Sequence, residues 1–141
     1  MRRRLATTLL VAALILTATA STAAAGPKRG TYIDVKLQTY VVTTKDVSAI
    51  KSFQTTCVRS TGVQGGSIAV SRKLKLNRSG GFSFSGKGKI YAGGIDPYVD
   101  TVKIKASFKN GRFKGTVEVP EKYGCAVTSF SAKYYGVNPQ G

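Results

Sequence analysis

The sequence predicts an all-β protein: a single antiparallel β-sandwich or small barrel of about seven strands, after an N-terminal signal peptide. Three observations carry that reading. From Thr31 onward apolar and polar residues alternate with a period of two rather than 3.6, and Val, Ile, Thr, Tyr and Phe fill the runs. Gly62, Gly65-Gly66, Gly80-Gly81, Gly93-Gly94, Pro97 and Pro120 stand at the joins, where a chain must turn. Asn110-Gly111, set between two alternating runs, accepts the positive φ angles of a type I′ turn and so specifies a two-residue hairpin loop.

The chain opens with Met1-Arg2-Arg3-Arg4, an apolar run from Leu5 to Ala20 that is too short and threonine-broken for a comfortable membrane span, and the small residues Ala23-Ala24-Ala25. That order is the one export requires, and cleavage is expected after Ala25. Residues 1–25 are therefore read as signal peptide, 26–30 as a basic lead-in and 31–141 as a single β-domain. With no cysteine near the cleavage site for lipid attachment and no second long apolar segment, the mature protein is expected to be secreted, without a transmembrane anchor.

Candidate strands follow in order: Thr31–Thr43 with a break in the middle, Ala49–Val58, Ser67–Leu76 with a kink, Phe82–Tyr91, Thr101–Lys109, Arg112–Val119 and Ala126–Tyr135. No substantial helix is expected. The Asn110-Gly111 turn sets a register that pairs Lys109 with Arg112, Phe108 with Phe113, Ser107 with Lys114, Ala106 with Gly115, Lys105 with Thr116, Ile104 with Val117 and Lys103 with Glu118. Val102, Ile104, Ala106, Phe108, Phe113, Val117 and Val119 then form one apolar face. Lys103, Lys105, Lys109, Arg112 and Lys114 form the other, a candidate anion-binding face. A second hairpin is expected between Leu74/Leu76 and Phe82/Phe84, with Lys73, Lys75, Lys87 and Lys89 on its polar side.

Charge restricts the partners more than any motif does. The chain holds 22 basic and 6 acidic residues and no histidine. Loss of Arg2, Arg3 and Arg4 leaves 19 basic side chains, a formal charge of +13 that persists at any ordinary pH. Such a surface attracts polyanions. The two cysteines, Cys57 and Cys125, are expected to form one disulfide in an oxidising compartment, because two widely separated cysteines without histidine do not make a zinc site.

Gly30-Thr31-Tyr32, Cys57, the hairpin arm Gly111-Arg112-Phe113-Lys114-Gly115-Thr116, and Cys125 followed by Phe130-Ser131-Ala132-Lys133 together resemble the small secreted β-proteins of unknown function common in actinobacteria. The resemblance covers most of the mature chain. It implies a compact β-fold with a strand-linking disulfide, a Gram-positive source and no transferable active site. Phe130 stands where tryptophan or another large aromatic would be expected.

The remaining motifs carry little chemistry. Gly81-Phe82-Ser83-Phe84-Ser85-Gly86-Lys87 has the spacing of a phosphate-binding loop, but Gly88 replaces the hydroxyl that would hold magnesium and the FSFS run alternates like a strand. Nucleophile catalysis through a histidine base is excluded by composition, and no signature surrounds a lysine base. A glycosidase needs two carboxylates about 5 to 10 Å apart. Asp96 and Asp100, flanking Pro97-Tyr98 in an expected loop, are the only close pair worth naming and are expected to be turn-forming carboxylates beside solvent. Seven tyrosines accompany the lysines, most of them expected to be half-buried, with at least one of Tyr134 and Tyr135 near solvent.

The expectation is thus a monomeric, non-enzymatic binding module for anionic cell-envelope polymers or glycans, with no catalytic residues, cofactor or metal and no nucleic-acid partner. A secreted small effector, antimicrobial or inhibitory, is the alternative. A glycan-cleaving enzyme using Asp96 and Asp100 ranks third.

Overall fold

Asn110 and Gly111 adopt φ angles of 53° and 72°, the type I′ geometry whose twist matches that of the strands it joins. In a computed structural model that describes residues 25–137, the seven pairings read from this turn all form between Tyr98–Lys109 and Arg112–Glu118. In chain order the strands are β1 Thr31–Asp34, β2 Thr39–Thr43, β3 Ala49–Val58, β4 Gln64–Val70, β5 Leu74–Lys75, β6 Phe82–Tyr91, β7 Tyr98–Lys109, β8 Arg112–Glu118 and β9 Thr128–Gly136. A single 3-10 turn, Glu121–Tyr123, separates β8 from β9. The expected signal peptide, residues 1–25, lies outside the described residues except for Ala25, and among the described residues no helix is long and apolar enough to cross a membrane.

All pairings are antiparallel, and β2 is hydrogen-bonded both to β1 and to β3. The ladder β1-β9-β8-β7-β6-β4-β3 therefore closes through β2, which resolves the sandwich-or-barrel alternative as an eight-stranded barrel without a free edge in the ring. Nine strands replace the expected seven for two local reasons. Asp34 Oδ1 accepts the N–H groups of Lys36 and Leu37, turning the chain between β1 and β2. The kink after Val70 separates β4 from β5.

One predicted hairpin is not formed. Leu74 and Lys75 pair with Ile50 and Ala49 of β3, whereas β6 pairs with β4 and β7. β7 runs along one edge of β6 and β4 takes only the Lys89–Tyr91 end of the other, while the short β5 adds to the start of β3 and Asn77 turns the chain by accepting the N–H groups of Ser79 and Gly81. The final strand begins at Thr128 rather than Ala126. The preceding residues instead pair with the end of β3, through an Arg59–Cys125 bridge and the Ala126 N–H on the Val58 carbonyl at 2.7 Å.

Phe53, Phe82, Phe113 and Phe130 fill the barrel together with Tyr32, Ile50, Ile68, Ile90, Ile104 and the inward valines, all essentially inaccessible to solvent. The rings meet edge-on or tilted, with Tyr32 and Phe113 centroids 4.8 Å apart and Phe53 and Phe130 5.4 Å apart. Phe130 thus fills the position at which a larger aromatic was expected. Burying each phenylalanine contributes about 1.5–3 kcal/mol. At one barrel end the basic lead-in is held by Tyr32, whose oxygen accepts the Lys28 N–H at 2.7 Å, and by Tyr134, whose hydroxyl donates to the Arg29 carbonyl at 3.1 Å.

Near the other end Cys57 and Cys125 are joined by a disulfide with Cα atoms 5.2 Å apart, the predicted bridge. Apolar side chains point inward while lysine, serine and threonine occupy much of the outside. That polarity is the inverse of a membrane-spanning barrel, whose outer band must be apolar.

Candidate functional site

The period-two alternation of β6 to β9 places every second side chain on the outer wall. Lys103, Lys105, Lys109 and Lys114 are exposed and Arg112 is half-buried, so the hairpin brings the five predicted cations to one face. The neighbouring strands widen it. Lys87 and Lys89 of β6 lie opposite Thr101 and Val99 of β7, and Lys133 of β9 lies opposite Arg112. Ser83, Lys105, Thr116 and Ser129 form one row across four strands, one ammonium group flanked by small hydroxyl side chains. In another row Lys109, Arg112 and Lys133 stand side by side on three adjacent strands.

Like charges on directly opposed residues disfavour a sheet, and no acid relieves that row. Lys103 and Glu118 share a register position but form no ion pair within 4.0 Å. Arg112 has only a 3.5 Å hydrogen bond from Nη1 to Ser131 Oγ, and Asp34, the acid nearest in the sheet, is occupied by the Ser131 N–H at 2.8 Å. Beyond Lys133 the same row continues into Ile33 and Tyr40, where the wall changes character: with Val42, Tyr135 and Val137 and the polar Ser52, Gln54 and Ser71 they line an open groove of mixed polarity.

Both ion pairs among the described residues converge on Asp100, at the end of the wall nearest the disulfide. This residue lies in β7 rather than in the expected loop, because the strand begins at Tyr98. Its carboxylate accepts the Tyr123 hydroxyl at 2.7 Å and the Thr101 N–H at 2.7 Å, and it pairs with Lys122 at 3.0 Å and Lys87 at 3.7 Å. The Tyr123 hydrogen bond above all, then the Thr101 N–H and Lys122, hold the carboxyl well below the ordinary carboxylate range. The same Tyr123–Asp100 bond pushes the phenol upward, and Asp100 likewise raises the Lys122 ammonium.

Chemically, this cluster is an anchor. A carboxylate so stabilised in its charged form is a weak base, and Tyr123 and Lys122 are held in their protonated states. Asp96 is exposed in the loop, as expected, and among the described residues it joins no cluster of three or more acidic or cysteine side chains. The phosphate-loop spacing falls inside β6, where a Cβ on Gly88 would lie 2.6 Å from Val102 Cγ2. That glycine serves close packing in the barrel.

Beside this anchor is a cavity of about 440 Å³ lined by Arg59, Ala92, Tyr98, Lys122, Tyr123 and Gly124. The sequence reading missed it. Its residues come from three stretches, Arg59, Ala92–Tyr98 and Lys122–Gly124, separated by tens of positions, and only the glycines at 65, 93 and 124 mark the places where Arg59 passes. The tyrosines are also more exposed than expected: Tyr40, Tyr98, Tyr134 and Tyr135 all reach solvent, and of the seven only Tyr32 is fully buried. Comparison of the chain with protein families, with curated proteins and with solved structures finds no match. The functional reading therefore rests on geometry and charge.

Proposed function

We propose that this is an exported, non-enzymatic binding module whose outer wall contacts anionic cell-envelope polymers or anionic glycans. The observation that supports it best is the row Lys109, Arg112 and Lys133, three neighbouring cations without an acid to relieve them. Folding tolerates this repulsion, and a polyanion laid across the strands would remove it. The surrounding Lys87, Lys89, Lys103, Lys105 and Lys114 extend the same potential along the polymer's path. The serines and threonines between them leave room for a chain to approach the sheet and offer hydroxyls to its oxygens. Fields of this kind decay over about 8 Å at physiological ionic strength, so binding must weaken as salt rises.

The test is retention of the mature domain on immobilised teichoic acid and on polygalacturonate across a salt gradient. Changing Lys105, Arg112 and Lys114 together to Gln is expected to move elution to distinctly lower salt. Thermal stability should change by only about 0.5 kcal/mol at each of Lys105 and Lys114, since exposed charges contribute little to folding, and by about 1 kcal/mol at the half-buried Arg112. Retention indifferent to salt, or unchanged in the triple variant, would leave the lysines as agents of solubility only.

A further inference from the structure

Arg59 follows β3 two residues after Cys57, and its backbone forms a bridge with Cys125. The disulfide thereby ties together the two segments that carry Arg59 and the Lys122–Gly124 wall of the cavity. The guanidinium makes no hydrogen bond or ion pair with any described residue, although both ion pairs of the described chain lie beside the same cavity. Its path is nonetheless shaped. A Cβ on Gly65 of β4 would lie 2.5 Å from Arg59 Nε and 3.0 Å from Cγ, and one on Gly124 would lie 3.1 Å from Nη1. Gly124 also adopts a φ of 71°, which by itself accounts for glycine there. Gly65 has no positive φ, so the space it leaves is taken by the arginine.

Across the cavity, Tyr98 and Tyr123 stand with centroids 5.3 Å apart and ring planes at 41°. Tyr123 is fixed by Asp100, and Tyr98 is 55% exposed. Lys122 lies over the Tyr123 ring at 5.1 Å. The one acid in contact with this group, Asp100, is already matched by Lys122 and Lys87, so Arg59 is left as the unneutralised charge of the cleft.

We infer that this cleft is a subsite for a sugar ring bearing an anionic substituent. The planar Arg59 fork would take the anion's oxygens, and the tyrosine rings would face the C–H surface of the ring. The volume lies within the range of ordinary ligand pockets, about 300–1,000 Å³. The subsite deepens the wall reading and rests on it: Lys87 belongs to the wall and bonds to Asp100, so a polymer following the wall arrives at this cleft.

The test titrates the oxidised mature domain with tetragalacturonate, with a neutral tetrasaccharide, with glucose 6-phosphate and with inorganic phosphate, reading heat or Tyr fluorescence. At least one of the two acidic sugars should bind about tenfold or more tightly than the neutral oligosaccharide and than phosphate alone. Whether tetragalacturonate or glucose 6-phosphate binds better identifies a carboxylate or a phosphate as the substituent. Arg59→Lys, which keeps the charge but loses the fork, should weaken that binding about tenfold. Gly65→Ala, which displaces the arginine, should do the same, and both variants are checked for unchanged thermal unfolding.

Equal binding of acidic and neutral sugars, equal binding of inorganic phosphate, or full affinity in Arg59→Lys would overturn the subsite. Failure of the wall reading has a separate signature, namely no retention of the unmodified domain on either polymer column.

Discussion

The hydroxyl of Tyr123 lies 2.7 Å from Oδ2 of Asp100, joining the 3-10 turn to the start of β7 across 23 residues of chain. With Lys122 and Lys87 on the same carboxylate, it fastens the barrel rim where the cationic wall meets the Arg59 cleft. An acid at this point is informative in so basic a protein. Its charge is consumed internally, and the lysines farther along the wall are left unopposed.

Asp100 also makes acid stability testable. Its folded-state carboxyl lies below the ordinary value of 3.8, chiefly through the Tyr123 hydrogen bond, so its contribution is fully present above that value. It is lost as the pH falls from there through the depressed folded value. Asp46, lowered to about 2 by the hydroxyls of Thr44 and Ser48, acts in the same direction. Asp100→Asn should therefore be less stable than the parent at pH 7 and lose less stability between about pH 4 and pH 2. Thermal melts across that window check it, and parallel curves for the two proteins would contradict it.

Removing the Cys57–Cys125 bridge as the double variant Cys57→Ala/Cys125→Ala should cost roughly 4 kcal/mol, the chain-entropy value for a loop of this size. The 68-residue separation makes the effect large. Urea denaturation measures it. The variant should also lose affinity at the Arg59 cleft, whose two walls the bridge holds together.

Thr39 and Thr55 face each other across β2 and β3 with hydroxyl oxygens 2.7 Å apart, both buried. Thr55→Val alone should destabilise by about 1–3 kcal/mol, because it leaves the Thr39 hydroxyl without its partner. Thr39→Val combined with Thr55→Val should cost less than the two single changes added together. A double-mutant cycle reads the coupling, and strictly additive effects would show that the pair does not act as one unit.

Val47 has a φ of 57°, a left-handed conformation that a β-branched side chain tolerates poorly, in the turn between β2 and β3. Val47→Asn should raise stability by about 0.5–1 kcal/mol, since asparagine enters this region at lower cost. An unchanged or lowered melting temperature would mean that the packing of the half-buried valine outweighs its backbone strain.

The strands, the Asn110-Gly111 hairpin with its register, and the outward placement of Lys103, Lys105, Lys109, Arg112 and Lys114 were all legible in the sequence. Each depends on periodicity or on a dipeptide with one favoured geometry, and a period of two leaves no freedom once the turn is set. The Cys57–Cys125 pairing was legible because only two cysteines exist. Closure of the barrel was not, because β2 pairs with both β1 and β3 through hydrogen bonds that carry no side-chain signature. The same absence of a local signal misplaced Leu74 and Lys75, which pair with Ile50 and Ala49 of β3 rather than with β6.

The Arg59 cleft belongs wholly to the tertiary structure. Arg59, the Tyr98–Asp100 stretch and Lys122-Tyr123 lie far apart in the chain. Nothing in their local sequence distinguishes an arginine crossing Gly65, or an aspartate held by a tyrosine, from ordinary surface residues. Sequence alone determined the strands and the sign of the surface, because these follow from short-range pattern and composition. Barrel closure and the disulfide decided which distant side chains meet, because that depends on the global path of the chain.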